Sequence, residues 1–294
     1  MSASVIEQNR VTLNGVRVVY EEAGRGRPLV CIHGNYASKR WFTEQLSAPP
    51  LGWRVIAPDL PNFGESGSLP GKTSIEAYAS YLADFMAQLG LESPVVLGHS
   101  LGGAVAQVYA ARQPDALAGL LLVASAPPGS LYGLGGGLGK LPQEFKLPNS
   151  VSLPKLPKGI KLPSSSLKMP KLKAGGRSGE RERLAASLRA TMPSRPIAYF
   201  EQIVDDALLM RPAAVSGNLQ ALMSYDTRGL GRVRCPALIL RGGRDTIITE
   251  QMARKTAASL PAARLELWPE VGHSPQLEAP ERFKELLTRF LEGV

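Results

Sequence analysis

The chain is poor in the residues that carry metal, redox and disulfide chemistry: it has two cysteines and three histidines in 294 residues. Cys31 and Cys235 sit in or next to apolar strand-like runs, so buried free thiols are expected, with no disulfide framework and no metal cluster. Long hydrophobic runs are also missing. The longest, Leu117 to Ala126, is broken by Gly119 and Ser125 and is too short to span a bilayer. Met1 to Arg10 has no apolar core of the kind a signal peptide needs, so a cytoplasmic location is expected. The three histidines narrow any search for an imidazole base to His33, His99 and His273.

What remains is ordinary for a globular protein: 44% hydrophobic and 20% charged residues, in a length that suits one large domain or two small ones. The net charge of +9 would suggest nucleic acid if it were spread over the chain. It is not spread. Residues 127–190 hold twelve Lys and Arg against three acids (Glu144, Glu180 and Glu182), which is the entire excess. The rest of the chain balances, so no nucleic-acid partner is expected of the body.

The most informative stretch is Pro94 to Gly103. Val95-Val96-Leu97 reads as a short buried strand, Gly98-His99-Ser100-Leu101-Gly102 follows at once, and Gly103 to Arg112 reads as a helix. This is G-x-S-x-G in the strand-turn-helix setting it requires. The turn is so tight that the positions two before and two after the serine must be small, and both are glycine. Such a turn lifts the Ser100 hydroxyl above the sheet edge and aims the Leu101 N–H and the helix N-terminus at whatever the serine attacks.

Strands and helices alternate on both sides of this motif. Arg10–Leu13 and Val16–Glu21 flank an Asn14-Gly15 hairpin turn. Strands are expected at Pro28–Ile32, Trp53–Asp59, Gly119–Ala124, Pro236–Arg241 and Ala263–Trp268. Helices are expected at Ser38–Leu46, from a Thr73-Ser74-Ile75-Glu76 capping box to Leu89, at Glu250–Ser259 and at Pro280–Leu291. The alternation predicts an α/β fold, a doubly wound and mostly parallel sheet, whose chemistry sits at the carboxyl ends of the strands. His33, Ser100, Asp245 and His273 all follow strands in that way.

Serine needs an adjacent base, and a neutral imidazole needs a carboxylate to set its tautomer. His273, in the loop between the last strand and last helix, is placed to be that base. Asp245 follows the strand before it and is the favoured orienter; Asp226 precedes that strand and belongs at the opposite edge of the sheet. His99 is expected to leave the elbow in the wrong direction for a base and to serve in packing or hydrogen bonding. His33 shapes the loop that follows it. Asp59 suits a turn-shaping role in Asp59-Leu60-Pro61-Asn62-Phe63-Gly64.

The order Ser…Asp…His with this elbow resembles the α/β-hydrolase family, over about residues 10–126 and 225–294. By that resemblance His33-Gly34 matches the oxyanion loop, Gly98 to Gly102 the nucleophile elbow, Asp245 the acid and His273 the base. The resemblance implies a serine hydrolase of carboxylic esters or thioesters acting through an acyl-enzyme, with no cofactor. It implies an oxyanion hole formed by the Leu101 and Asn35 N–H groups, with the Asn35 side chain as an alternative donor. Serine rather than aspartate at the nucleophile argues against the dehalogenase and epoxide-hydrolase branches. A cofactor-free perhydrolase or haloperoxidase would use the same triad. A slow-turnover ligand-sensing protein would retain it.

Residues 127–224 occupy the position where this family inserts a cap, with a core of residues 1–126 and 225–294. Helices are expected at Glu182–Ala190, Ile197–Met210 and Ala213–Ser224. Met192 and Phe200 are candidates to face an acyl substrate or to form cap core. Tyr36 and His99 are further substrate-facing candidates. Residues 133–179 are low in complexity, with glycine joints at either end and a repeat of Lys-Leu-Pro units. Up to Pro163 the prolines recur at multiples of three, which stacks Pro, Leu and Lys on separate edges of a polyproline II helix. Drawn straight, Lys140 to Pro163 would measure roughly 74 Å, against a diameter of about 50 Å for a compact chain of this length. Two readings stand: a linker-like insertion, or a cationic, leucine-edged lid that meets an anionic surface, carrier or polymer.

Overall fold

The structure is a computed structural model, and it describes residues 5–129 and 177–294. Its strands are β1 (Glu7–Leu13), β2 (Val16–Gly24), β3 (Arg27–Ile32), β4 (Trp53–Pro58), β5 (Val95–His99), β6 (Gly119–Val123), β7 (Ala237–Gly242) and β8 (Ala263–Trp268). They form one sheet in the order β1-β2-β4-β3-β5-β6-β7-β8. The pairs β1/β2 and β2/β4 are antiparallel and the others parallel. Asn14 and Gly15 turn the first hairpin with φ of 50° and 78°, the paired positive values that match the strand twist.

The helices are α1 (Thr43–Ser47), α2 (Ile75–Gln88), α3 (Leu101–Arg112), α4 (Arg177–Thr191), α5 (Phe200–Leu208), α6 (Pro212–Ala221), α7 (Glu250–Ala258), α8 (Pro275–Glu278) and α9 (Pro280–Glu292). Among the described residues no helix is long and apolar enough to cross a membrane. The middle of the sheet is buried on both faces, which is why its strands read as unbroken apolar runs rather than alternating ones. Val30, Ile32 and Val96 face one core with α2 and α3. Leu29, Cys31, Val95 and Leu97 face the other with α9. All of α3 but Arg112 is buried, which fixes the elbow at its N-terminus from every side.

Two local expectations shift. The cap of α2 is Ser74, whose Oγ accepts from Ala77 N at 3.1 Å, and not Thr73. Thr73 lies instead against Gly217 of α6, and Glu76 accepts from Asp226 N at 2.8 Å. The expected helix over residues 38–46 is a 3-10 turn (Lys39–Phe42) followed by α1, broken at Phe42 with φ −115° and ψ 20°. The Lys-Leu-Pro repeat and most of the 133–179 segment lie outside the described residues.

Candidate active site

Ser100 sits between β5 and α3 with φ 54° and ψ −114°, a conformation L-residues rarely adopt. The surrounding glycines are what allow it. A Cβ on Gly102 would lie 2.3 Å from Ile32 O, and one on Gly98 2.6 Å from Gly102 O. A Cβ on Gly103 would meet Ser125 Oγ at 2.2 Å. Ser100 N donates to Val123 O at 2.9 Å, which hangs the turn on β6. The Ser100 side chain makes no helix cap, so its hydroxyl is left for other partners.

One such partner is His273, whose Nε2 is 3.0 Å from Ser100 Oγ. On the other side of the ring, His273 Nδ1 is 2.9 Å from Asp245 Oδ2. A carboxylate can only accept, so Nδ1 carries the proton and Nε2 accepts from the serine hydroxyl. Asp245 Oδ1 is held by the N–H groups of Ile247 and Ile248 at 2.8 and 3.0 Å. Asp226 lies elsewhere, half-exposed and paired with Arg228 at 2.8 Å. That pairing, led by the Arg228 hydrogen bonds, pulls its carboxyl down to about 2.

The backbone around His273 is held by several hydrogen bonds. Its N–H donates to Thr191 O at 2.8 Å, and its carbonyl accepts from His99 Nε2 at 2.9 Å. The neighbouring Gly272 and Ser274 N–H groups donate to the buried carboxylate of Glu278 at 2.9 and 3.0 Å. The same carboxylate accepts from Ser194 Oγ at 2.7 Å, so it ties the loop to the segment after α4. His99 is stacked on Trp41 and edge-on to His273, with ring centroids 5.1 and 5.0 Å away. Burial, reinforced by the proximity of His273, holds its pKa well below the usual histidine value. This histidine is a neutral donor behind the base, in the hydrogen-bonding role its position suggests.

The loop after β3 forms the facing wall. Gly34 approaches so closely that a Cβ there would lie 3.0 Å from Ser100 Cβ. His33 is buried and neutral, because burial lowers its pKa. Its Nε2 accepts from Leu60 N at 3.0 Å, so its Nδ1–H donates to Gly34 O at 2.9 Å. Asp59 braces the same region: it accepts from Lys39 N at 2.8 Å and Glu65 N at 3.0 Å, and pairs with Lys39 Nζ at 3.1 Å. Leu101, at the first position of α3, is buried, and the first N–H groups of a helix have no partner within it.

The helices between β6 and β7 reach this wall directly. Asp206 of α5 accepts from Ser38 Oγ at 2.7 Å and pairs with Arg40 at 2.8 Å. Asn218 of α6 donates to Asn35 Oδ1 at 2.8 Å. Tyr36 is half-buried against the hydrophobic core with φ 54°. Met192 and Phe200 are buried among residues of the sheet's second face, and the Phe200 ring lies under the Arg189 guanidinium at 4.4 Å. Two of these supporting groups carry little sequence signal. Asp206 and Asn218 are far from the elbow in the chain. Glu278 could have been found from Ser274-Pro275, a helix start four residues earlier that brings a glutamate back over the His273 loop.

A serine on a nucleophile elbow, bonded to a histidine that is bonded to an aspartate, at the carboxyl ends of a mostly parallel sheet, defines the α/β-hydrolase architecture. A family model described as the alpha/beta hydrolase fold matches residues 27–280, and the chain belongs to that family. It is similar to the pimeloyl-[acyl-carrier protein] methyl ester esterase of Chromobacterium violaceum, at 30% identity over 92% of this chain and 97% of the relative. It is 28% identical to an uncharacterized protein of Mycobacterium bovis, over 96% of this chain and 80% of that one. Among solved structures it resembles a thermophilic esterase from Thermogutta terrifontis, with a TM-score of 0.67, 25% identity and 98% of both chains covered. Two of these three are esterases by name, and the comparisons support an esterase-like hydrolase of this fold.

Proposed function

We propose that the protein is a serine hydrolase of carboxylic esters or thioesters, with Ser100 as nucleophile, His273 as general base and Asp245 as its orienter. The observation that carries this is the unbroken line of hydrogen bonds from Ser100 Oγ to His273 Nε2 at 3.0 Å and from His273 Nδ1 to Asp245 Oδ2 at 2.9 Å. In the first half-reaction His273 takes the Ser100 proton while Oγ attacks the acyl carbonyl. The Leu101 and Asn35 N–H groups stabilise the resulting oxyanion. Collapse breaks the bond to the alcohol or thiol, which leaves with the proton from His273. Water, deprotonated by the same imidazole, then releases the acid and restores Ser100. A fluorophosphonate probe should label Ser100 only, and Ser100→Ala should fold normally with ester turnover reduced by several powers of ten. Labelling at another residue, or unimpaired turnover, refutes the assignment.

One observation favours a narrower substrate class. The whole positive excess lies in residues 127–190, and the Chromobacterium relative's name places its ester on an acyl carrier protein. A lysine cluster on a neutral body attracts an anionic carrier through a salt-sensitive field. Excising residues 133–179 should leave turnover of small esters unchanged or raised and lower turnover of a carrier-borne ester. The intact protein's preference for the carrier should weaken with salt. Equal loss on both substrates, or a preference that salt does not alter, sinks the carrier reading.

A further inference from the structure

Four side chains form a directed hydrogen-bond line that ends in the loop beside Ser100: Asn62, Tyr78, Asn218 and Asn35. Its direction is set at the far end. The Leu69 N–H can only donate, and it donates to Asn62 Oδ1 at 2.9 Å. The Asn62 carboxamide therefore turns its Nδ2 toward Tyr78 and donates to the hydroxyl at 3.3 Å. The single Tyr78 proton goes to Asn218 Oδ1 at 2.8 Å, which leaves Asn218 Nδ2 to donate to Asn35 Oδ1 at 2.8 Å. Burial raises Tyr78 to about 12, against the lowering effect of its two amide partners, so it remains a donor. Tyr78 and Asn218 are both fully buried, where an amide turned the wrong way round would face its neighbour donor to donor.

Helix α6 is seated to hold this line. Arg211 N, just before the helix, donates to Asn62 O at 2.9 Å. A Cβ on Gly217 would lie 2.9 Å from Thr73 Cβ, so the helix touches the core directly beside Asn218. With the Asn35 oxygen engaged by Asn218, its N–H pair is left for another acceptor. Asn35 follows Gly34, the residue pressed against Ser100.

We propose that Asn218 is a positioning residue: through its hydrogen bond to Asn35 Oδ1 it fixes the Asn35 carboxamide as a donor to an oxygen of the acyl substrate at Ser100. The inference rests on Ser100 being the nucleophile. That oxygen gains charge as Ser100 attacks, so the donor acts on kcat more than on KM.

The test is Asn218→Asp, which keeps the shape but can only accept when ionised. Ionised, it accepts the Tyr78 hydrogen bond and forces Asn35 to turn its N–H pair toward residue 218, leaving the Asn35 oxygen toward substrate. On p-nitrophenyl butyrate kcat should fall about 10-fold or more, since a transition-state donor is commonly worth ~10²–10³. KM should stay within about threefold. Asn35→Ala, which keeps the backbone N–H, should lower kcat comparably. Adding Asn218→Asp to Asn35→Ala should change kcat by less than about twofold. Tyr78→Phe removes the proton that orients Asn218 and should show a smaller loss that also vanishes beside Asn35→Ala. Fluorophosphonate labelling separates the two layers. An unlabelled Ser100 in the parent protein refutes the nucleophile assignment itself. With Ser100 labelled, full kcat in Asn35→Ala overturns the inference, as does an equal Asn218→Asp loss with and without Asn35. If Asn218→Asp does not fold, Tyr78→Phe decides by the same comparison.

Discussion

Replacing Asp245 by Asn changes almost no atoms, yet the structure dictates which way the amide must face. Asp245 Oδ1 accepts from Ile247 N at 2.8 Å and Ile248 N at 3.0 Å, and Oδ2 accepts from His273 Nδ1 at 2.9 Å. Two backbone N–H groups on one side require an oxygen there, so the new NH₂ faces His273. An NH₂ group can only donate, so Nδ1 must become the acceptor and the ring proton moves to Nε2, against Ser100 Oγ. In that tautomer the imidazole cannot take the serine proton. The escape is to flip the amide, which leaves two backbone N–H groups unpaired at about 1–3 kcal/mol each, or roughly 2–6 kcal/mol together. That range brackets the ~10⁴ loss seen when a serine-protease aspartate is made amide, which is about 5.4 kcal/mol at 1.36 kcal/mol per decade. Asp245→Asn should therefore lose on the order of 10⁴ in kcat/KM on p-nitrophenyl butyrate, with its melting temperature little changed. Asp226→Asn is the control: Asp226 pairs with Arg228 at 2.8 Å and touches nothing in the site, so it should retain near-parental activity. Asp245→Asn activity within tenfold of the parent, or a larger loss from Asp226→Asn, would refute the tautomer argument.

Two other outcomes follow from the same geometry. Burial depresses the pKa values of His33 and His99 below their ordinary 6.5, so below that pH the unfolded chain binds protons that the folded one refuses. Stability should be full above pH 6.5 and fall as pH drops toward the depressed folded values, by about 1.4 kcal/mol per pH unit for each histidine; urea titrations should show it, and His99→Gln should remove one proton from the slope. Glu278→Gln puts an amide NH₂ against either Ser274 N–H or the Gly272 and Ser194 donors, costing one charged-acceptor bond and stranding its donor, about 3 kcal/mol or more. Denaturant unfolding should register that loss together with lower kcat, and unchanged values of both would separate Glu278 from the His273 loop.

The parts of this protein legible in the sequence are those encoded by neighbours in the chain. Gly98-His99-Ser100-Leu101-Gly102 names its own turn, because every constraint on that turn comes from within a few residues and from adjacent strands. The Asn14-Gly15 hairpin and the apolar runs of β5 and β6 are local in the same sense. The α2 cap falls one residue later than the capping box implies, on Ser74, the better N-cap residue of the two, while Thr73 lies close to Gly217, 144 positions away. The supports that come from the helices between β6 and β7 are non-local. Asn218 meets Asn35 across 183 residues, Tyr78 meets Asn218 across 140, and Asp206 meets Ser38 across 168.

These long-range contacts share one property that makes them consequential. Each joins a polar side chain of the helices inserted between β6 and β7 to the segment running from the wall beside Ser100. Apolar contacts between the same surfaces would hold the helices in place but would not orient a carboxamide, since packing is indifferent to which end of an amide is oxygen. Hydrogen bonds are not indifferent, and a line of them anchored on the Leu69 N–H transmits a sense of direction over four side chains. The inserted helices thus do more than cover the sheet edge. They fix the polarity of a group next to the nucleophile, and removing α6 should disturb Asn35 even where Ser100, His273 and Asp245 keep their places.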